Sequence, residues 1–291
     1  MEARKQAMVA WLFALPFLVV FGAFMLVPLL SSLGMSFTDF RSSDLRNPFN
    51  VNGVGLDNFV ALFGDARFIQ SLINTGYFVA VGIPLTIVAG LALAVALNNG
   101  ITRFRGAFRV GFYTPVVTSI VAVAVVWRFI LQPDGLVNVM LGAVGIEGPN
   151  WLQDPVWAMP SLIVMKVWLH MGNLMIIFLA GLQTISPELL EAAKVDGAGS
   201  WRRFVSITLP LLRPTILLGA VLLSVSYLQF FEEPFVMTQG GPLGSTTSIS
   251  YFTYDQFGFG KYGYAAASSY VLFVIIALLS LLQFRLLRSK D

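Results

Sequence analysis

Residues 186–214 read SPELLEAAKVDGAGSWRRFVSITLPLLRP and form a polar link between two long apolar runs, 157–184 and 214–237. Ser186 is a typical helix cap, and Pro187 favours the first position of the helix that follows. The acidic residues of the first turn then face the positive end of the helix dipole. A helix is therefore predicted to begin here, on the surface of a membrane.

The same link is predicted to contain a second, shorter helix. Gly197 and Gly199 are expected to end the first helix, and Ser200 is expected to cap the second. We expect Pro210 to end the second helix and Pro214 to fix the entry into the next apolar run. The prediction is a rigid helix–turn–helix that lies across the membrane surface and carries small side chains on one face.

The two flanking runs belong to a set of six, each long enough to cross a bilayer as a helix of about 20 residues. The chain of 291 residues is 57% hydrophobic and 11% charged, whereas soluble domains carry about 25% charged residues. None of the runs alternates as a barrel strand does. The sequence therefore predicts an all-α polytopic membrane protein with six transmembrane helices. The six runs are 9–33, 71–97, 107–131, 157–184, 214–237 and 263–285.

Basic residues are unevenly divided between the two sides of such a protein. An even number of spans places both termini on one side, and that side carries twelve Lys and Arg residues against five on the other. Because cytoplasmic segments carry the excess of positive charge, both termini are predicted to be cytoplasmic. The twelve are Arg4, Lys5, Arg103, Arg105, Arg109, Lys194, Arg202, Arg203, Arg213, Arg285, Arg288 and Lys290, and the five are Arg41, Arg46, Arg67, Arg128 and Lys261.

Some function classes are excluded by what the sequence lacks. It has no cysteine and a single histidine, which excludes disulfides, thiol chemistry and a multi-histidine metal site. The motifs of zinc proteases and serine hydrolases are absent, so we expect no catalytic residue and no metal site. Basic residues lie at the ends of apolar runs, which argues against nucleic-acid binding. There is no phosphate-binding loop, so any process that this protein drives must take its energy from another chain or from an ion gradient.

Seven polar residues in the fourth and fifth predicted spans need an explanation, because charged groups in lipid are costly. One hypothesis is structural, with Lys166 paired to Glu232 or to Glu233. The other is that the set lines a water-filled path and hydrogen-bonds the hydroxyls of a solute, with the rings of Trp168 and Phe230 nearby. The seven candidate path residues are Lys166, His170, Asn173, Tyr227, Gln229, Glu232 and Glu233.

A motif within the polar link resembles the Glu-Ala-Ala loop of bacterial ABC import permeases. It begins at Glu191 and reads Glu-Ala-Ala, three residues, Gly, nine residues, Ile, one residue, Leu-Pro, ending at Pro210. The spacing and the position between two spans are those of the family. The resemblance implies coupling to an ATPase through Glu191, Ala192, Ala193, Asp196, Gly197, Ala198, Phe204, Ile207, Leu209 and Pro210.

Further motifs resemble the carbohydrate branch of this family, within the type I binding-protein-dependent importers, and the similarity covers nearly the whole chain. The resemblance implies the type I permease fold and a permease subunit, not an enzyme, that translocates a sugar or sugar-like solute. The motifs are Leu56-Asp57-Asn58-Phe59, Asn74-Thr75, Gly240-Gly241-Pro242 with Ser245-Thr246, and Gly263-Tyr264-Ala265-Ala266-Ala267.

The resemblance also implies a division of labour between chains. A second homologous permease completes the pathway, two ATPase subunits hold ATP and magnesium and dock at 186–214, and an extracytoplasmic binding protein delivers the solute. This chain would need no cofactor and would lie in the bacterial cytoplasmic membrane, in contact with the lipid bilayer. Residues 1–68 would form the first transmembrane helix with an outer amphipathic segment, 69–285 the permease core, and 286–291 a cytoplasmic tail. The alternative is a secondary transporter driven by an ion gradient.

Overall fold

The computed structural model describes residues 2–47, 51–99 and 104–287, apart from a few side chains at the ends of these ranges. Within them the protein is helical, with no strand beyond an isolated bridge between Thr38 and Gly53. The predicted all-α class is confirmed. The α-helices are α1 (Glu2–Phe21), α2 (Val27–Ser36), α3 (Asp57–Gly64), α4 (Ala66–Asn99), α5 (Arg105–Tyr113), α6 (Ile120–Ile130), α7 (Leu136–Gly142), α8 (Ala158–Gln183), α9 (Pro187–Val195), α10 (Ser200–Arg203), α11 (Leu209–Leu211), α12 (Arg213–Leu228), α13 (Glu232–Met237), α14 (Ile249–Gly258) and α15 (Tyr262–Leu287).

Four helices are long and apolar enough to cross a membrane without a sharp break. Two further pairs of helices pass the same test only when the two members are taken together, and each pair is bent by more than 40° at a short break. The described residues thus hold four continuous spans, or six if each bent pair is one span, which agrees with the predicted six. The continuous spans are Gln6–Ser36, Ala66–Asn98, Ala158–Gln183 and Tyr262–Arg285, and the bent pairs are Arg105–Val117 with Ile120–Ile130 and Ser200–Leu211 with Arg213–Leu228.

The predicted unbroken helices at 107–131 and 214–237 are wrong. The first breaks at Thr118 and Ser119, whose non-helical backbone separates helices that meet at 100°. The second ends at Leu228, and the short helix α13 follows as a separate element. Both breaks release backbone groups from the helical hydrogen-bond ladder. Proteins tolerate such irregular backbone at membrane depth where it is buried or lines a cavity.

Residues 1–65 and 253–271 form one compact unit. Its long helix runs from α1 through a π-helical turn into α2. In the most apolar 18-residue stretch of this helix, no residue is buried by the rest of the described chain. That exposure is typical of a helix surrounded by lipid. The predicted outer amphipathic segment contains α3, which begins at Asp57 and ends at Gly64 because the backbone of Asp65 is extended.

Residues 66–252 and 272–291 form the second compact unit, in which α4 and α8 pack along one another. Their backbones approach closely at Gly90, where a Cβ atom would lie 2.6 Å from the Cβ of Leu174. The helix α12 also packs against α4, through the fully buried ring of Tyr227. This packing fixes the faces of α8 and α12 on which the polar residues of the spans lie.

Some of the cations that predict the orientation lie outside the described part of the chain. Arg103, Arg288 and Lys290 are among them, and of Arg4 and Lys5 only the helical backbone is described. The end of the predicted cytoplasmic tail lies outside it as well. The cytoplasmic orientation of the termini therefore stays a prediction.

Candidate functional site

The first helix of the polar link begins where the sequence predicts. The hydroxyl oxygen of Ser186 accepts a hydrogen bond from the backbone N–H of Glu188 at 3.2 Å, and Pro187 occupies the first helical position. This cap satisfies one of the N–H groups that every helix start leaves free. The predicted start of α9 is confirmed.

The end of α9 explains the spacing of the Glu-Ala-Ala motif in physical terms. The N–H of Ala198 donates to the carbonyl of Ala193 at 2.9 Å, and the N–H of Gly197 donates to the carbonyl of Lys194 at 3.1 Å. This pair of bonds is a Schellman motif, whose turning residue has a left-handed backbone. Gly197 is that residue, with φ at +79°. In a Schellman motif, three residues lie between the residue whose carbonyl accepts the outer hydrogen bond and the left-handed residue. Ala193 and Gly197 occupy these two positions, which accounts for the three residues between them.

The second helix of the link differs from its prediction at both ends. Gly199 is the capping residue, and Ser200 is already helical. Helical backbone continues through a π-helical turn, Phe204–Thr208, and past Pro210 to Leu211. Pro210 has no backbone N–H to donate. It lies in the first turn of the short helix α11, where the backbone N–H groups need no α-helical acceptor, so the helical backbone tolerates it. The link then bends by 66° into α12.

The coupling segment, defined as residues 186–214, exposes large apolar side chains. Val195 is 88% exposed, Trp201 76% and Leu189 52%. These side chains give the short polar segment apolar surface that the rest of the described chain leaves uncovered. Of the predicted coupling residues, Glu191, Ala192, Asp196 and Gly197 are exposed, and Ala193, Ala198, Phe204, Ile207, Leu209 and Pro210 are partly buried.

A cavity of about 430 Å³ lies among α8, α12, the start of α13 and the break between α5 and α6. This volume falls within the range of about 300–1,000 Å³ that small-molecule pockets occupy. Five of the seven candidate path residues line it, and they are brought together from two predicted spans. They are Lys166, His170, Asn173, Gln229 and Glu232, and the other described lining residues are Val116, Thr118, Ile120, Leu169 and Ser226.

Lys166 and Glu233 form a buried ion pair, with 3% and 0% of their side chains exposed. The structure therefore selects Glu233 over Glu232 as the partner of the lysine. The two glutamates open α13, and successive side chains on a helix point about 100° apart. Glu232 consequently lines the cavity while Glu233 does not. Pairing with Glu233 and lining the cavity are compatible roles for Lys166.

His170 is anchored in the cavity wall through both ring nitrogens. Its Nδ1 lies 3.2 Å from the carbonyl oxygen of Lys166, and its Nε2 lies 3.2 Å from the hydroxyl oxygen of Ser226. A carbonyl oxygen only accepts, so Nδ1 carries the hydrogen, and in a neutral imidazole Nε2 accepts from the hydroxyl of Ser226. Neither contact requires a charged ring.

Two candidate path residues, Tyr227 and Glu233, do not line the cavity. Tyr227 is fully buried, and its hydroxyl oxygen lies 2.6 Å from that of Thr86. The other rings expected nearby contact aromatic side chains, the exposed Trp168 beside a second tryptophan and the fully buried Phe230 on a phenylalanine. Among the described lining residues there is accordingly no phenylalanine, tyrosine or tryptophan on which a sugar ring would stack.

Sequence reasoning missed Thr118 and Ser226 as lining residues. Ser226 lies three residues before Gln229 on α12, and this helical spacing is the signal that was available for it. Thr118 lies in the break between two helices, for which Pro115 is the local signal. A proline inside an apolar run leaves open whether the helix ends, kinks or continues.

Known proteins share this architecture. Residues 82–289 match the family described as binding-protein-dependent transport system inner membrane component. The chain is 39% identical over 286 residues to the lactose transport system permease protein LacF of Rhizobium radiobacter, which covers 96% of this chain and 94% of that protein. It is 32% identical over 273 residues to the trehalose/maltose transport system permease protein MalF of Thermococcus litoralis, covering 94% and 91%.

Two crystal structures contain a similar chain. One is a bacterial ABC transporter involved in the import of the acidic polysaccharide alginate, with a TM-score of 0.84, 28% identity and coverage of 99% of this chain and 97% of that one. The other is a bacterial alginate ABC transporter in complex with an alginate pentasaccharide-bound periplasmic protein, with a TM-score of 0.81, 27% identity and coverage of 99% and 96%. These matches favour an ABC importer over a gradient-driven transporter. Because the family match spans more than half of the chain, this protein belongs to the binding-protein-dependent transport system inner membrane components and is an ABC importer permease.

Proposed function

We propose that this chain carries a sugar or sugar-like solute through a bacterial cytoplasmic membrane, driven by two ATPase subunits that dock at the coupling segment. A second, homologous permease completes the pathway, and an extracytoplasmic binding protein delivers the solute. ATP and magnesium bind to the ATPase subunits, and this chain needs no cofactor. The coupling segment then lies on the cytoplasmic side, together with both termini.

The observation that carries the proposal is the fixed yet exposed structure of the coupling segment. The helix α9 is capped at Ser186, is closed by the Schellman motif at Gly197, and links two membrane-spanning parts of the chain. The exposed side chains of Val195 on α9 and Trp201 on α10 support the docking of a partner here. A helix held at both ends transmits a displacement to the spans attached to it, whereas a flexible loop absorbs the motion. A docked partner that moves would therefore tilt α8 and α12.

The lining of the cavity supports a sugar as the solute. Thr118, Ser226, Asn173 and Gln229 supply hydroxyl and amide groups, which both donate and accept hydrogen bonds. Sugar hydroxyls also do both, so each can be matched without leaving a polar group unpaired. The relatives described above are named for the transport of lactose and of trehalose and maltose, and this supports a similar solute here.

The coupling role is tested by Gly197→Val and Gly199→Val in the complete importer, reconstituted in proteoliposomes. A β-branched residue is strongly disfavoured at the φ of +79° of Gly197, whereas the φ of −64° and ψ of 164° at Gly199 suit any residue. A Cβ atom meets no other atom within 4 Å at either position, so neither variant creates a direct clash of Cβ within the chain.

We expect Gly197→Val to lower the amount of sugar imported per ATP hydrolysed by about tenfold. A valine in the left-handed conformation costs roughly 1–2 kcal/mol, and this strain destabilises the Schellman motif that ends α9. Gly199→Val should couple as the wild type does. The measurement is the ratio of sugar uptake to phosphate release. Equal ratios in the two variants would contradict the proposed role of the segment.

A further inference from the structure

We propose that the cavity selects neutral polyhydroxylated solutes against acidic sugars, and that Glu232 is the residue that sets this preference. The inference rests on the proposed function, because it concerns the solute that passes through the same cavity. It assigns the charge of that solute, which the fold does not decide. The structurally similar alginate importer handles an acidic polysaccharide, so this fold accepts anionic cargo in another protein.

The positive charge of Lys166 is compensated inside the protein. Its ammonium group is paired with the carboxylate of Glu233, which is fully buried. The ammonium nitrogen also lies 5.8 Å from the centre of the Tyr227 ring, within the range of a cation–π contact. A cation with an anionic and an aromatic partner has little remaining attraction for an anionic solute. The other basic residue of the wall, His170, has both ring nitrogens in contact with partners inside the protein, and neither contact requires a charged ring.

Glu232 supplies the uncompensated charge of the cavity. Its side chain is half-buried, lines the cavity, and forms no ion pair with any residue in the described part of the chain. Apart from Lys166, the remaining described lining groups are hydroxyls, amides, the imidazole of His170 and aliphatic side chains. The wall formed by this chain is therefore negative.

A fixed carboxylate in such a wall discriminates between solutes by their charge. Low-dielectric walls screen a charge less than bulk water does, so the repulsion of an anion extends over several ångströms. A carboxylate accepts hydrogen bonds from neutral hydroxyls, and these charge-assisted bonds favour a neutral sugar. Uronates and sugar phosphates are thus disfavoured, and neutral sugars and amino sugars are admitted.

The absence of cysteine from the chain makes the charge of the cavity measurable. The reporter Asn173→Cys places one thiol in the cavity wall of the complete importer in proteoliposomes. Its modification is followed on this chain by mass spectrometry, with cationic 2-(trimethylammonium)ethyl methanethiosulfonate and with anionic 2-sulfonatoethyl methanethiosulfonate. Each rate is divided by that of a free small thiol. We expect the cation to react faster, and Glu232→Gln to reduce the cation-to-anion rate ratio by about tenfold.

Two control variants isolate the charge of Glu232. Glu232→Asp keeps the carboxylate and should keep the ratio. Glu147→Gln removes an exposed carboxylate that does not line the cavity, and it should leave the ratio unchanged. A ratio that does not respond to Glu232→Gln, or a reporter that favours the anion, overturns the proposal. The labelling does not depend on transport, so absence of ATP-dependent sugar uptake in the wild type would count against the proposed function instead.

Discussion

At the scale of single residues, the ion pair between Lys166 and Glu233 has a testable energetic signature. Lys166→Met leaves a fully buried carboxylate without its partner, and breaking a buried pair on one side costs about 3–5 kcal/mol. The double variant Lys166→Met with Glu233→Leu removes both charges and should recover most of that stability. Thermal unfolding of the chain in lipid nanodiscs measures the difference.

Lys194→Met is the matched control, because this lysine is exposed on α9 and forms no ion pair with any described residue. Its unfolding temperature should stay near that of the wild type. A double variant no more stable than Lys166→Met alone would show that the ion pair is not the source of the loss.

The sequence predicted a carboxylate partner for Lys166 and left the choice between Glu232 and Glu233 open. The choice depends on where the helix carrying them begins. The predicted span ran straight through this region, whereas the helix ends at Leu228 and the backbone at Phe231 departs from helical values. A local break that apolar composition does not reveal therefore decides which glutamate is buried.

At the scale of secondary-structure elements, α9 was predictable because its start and end depend on local signals. Ser186, Pro187 and Gly197 act through their own backbone preferences and through bonds to near neighbours in sequence. The bent spans were not predictable in the same way. The helical turn just before the break at Thr118 packs against α8, which comes from much later in the chain.

The close approach of α4 and α8 at Gly90 predicts a stability difference between two glycine variants of the same helix. Gly90→Ala forces a Cβ atom to within 2.6 Å of Leu174, and such overpacking costs about 1–3 kcal/mol. Gly76→Ala meets no atom within 4 Å and should be neutral or stabilising by up to about 1 kcal/mol. Thermal unfolding in nanodiscs compares them, and equal midpoints would contradict the close contact.

At the scale of the whole molecule, the number of spans follows from hydropathy, because a bilayer demands about 20 apolar residues for each crossing. The cavity as a unit was not predictable. Thr118, Lys166 and Ser226 come from three elements far apart in sequence, and their meeting depends on tertiary packing. Five of the lining residues could be predicted from the sequence, because a polar residue within an apolar run is recognisable whatever the packing of the helices.

Sealed proteoliposomes that contain the complete importer test the central claim most directly. They are given ATP on the side of the ATPase subunits, radiolabelled sugar with its binding protein on the other side, and no ion gradient. Sugar should accumulate only while ATP is hydrolysed, and ATPase subunits unable to hydrolyse ATP should abolish uptake. Uptake driven by an ion gradient in vesicles that lack the ATPase subunits would contradict the account.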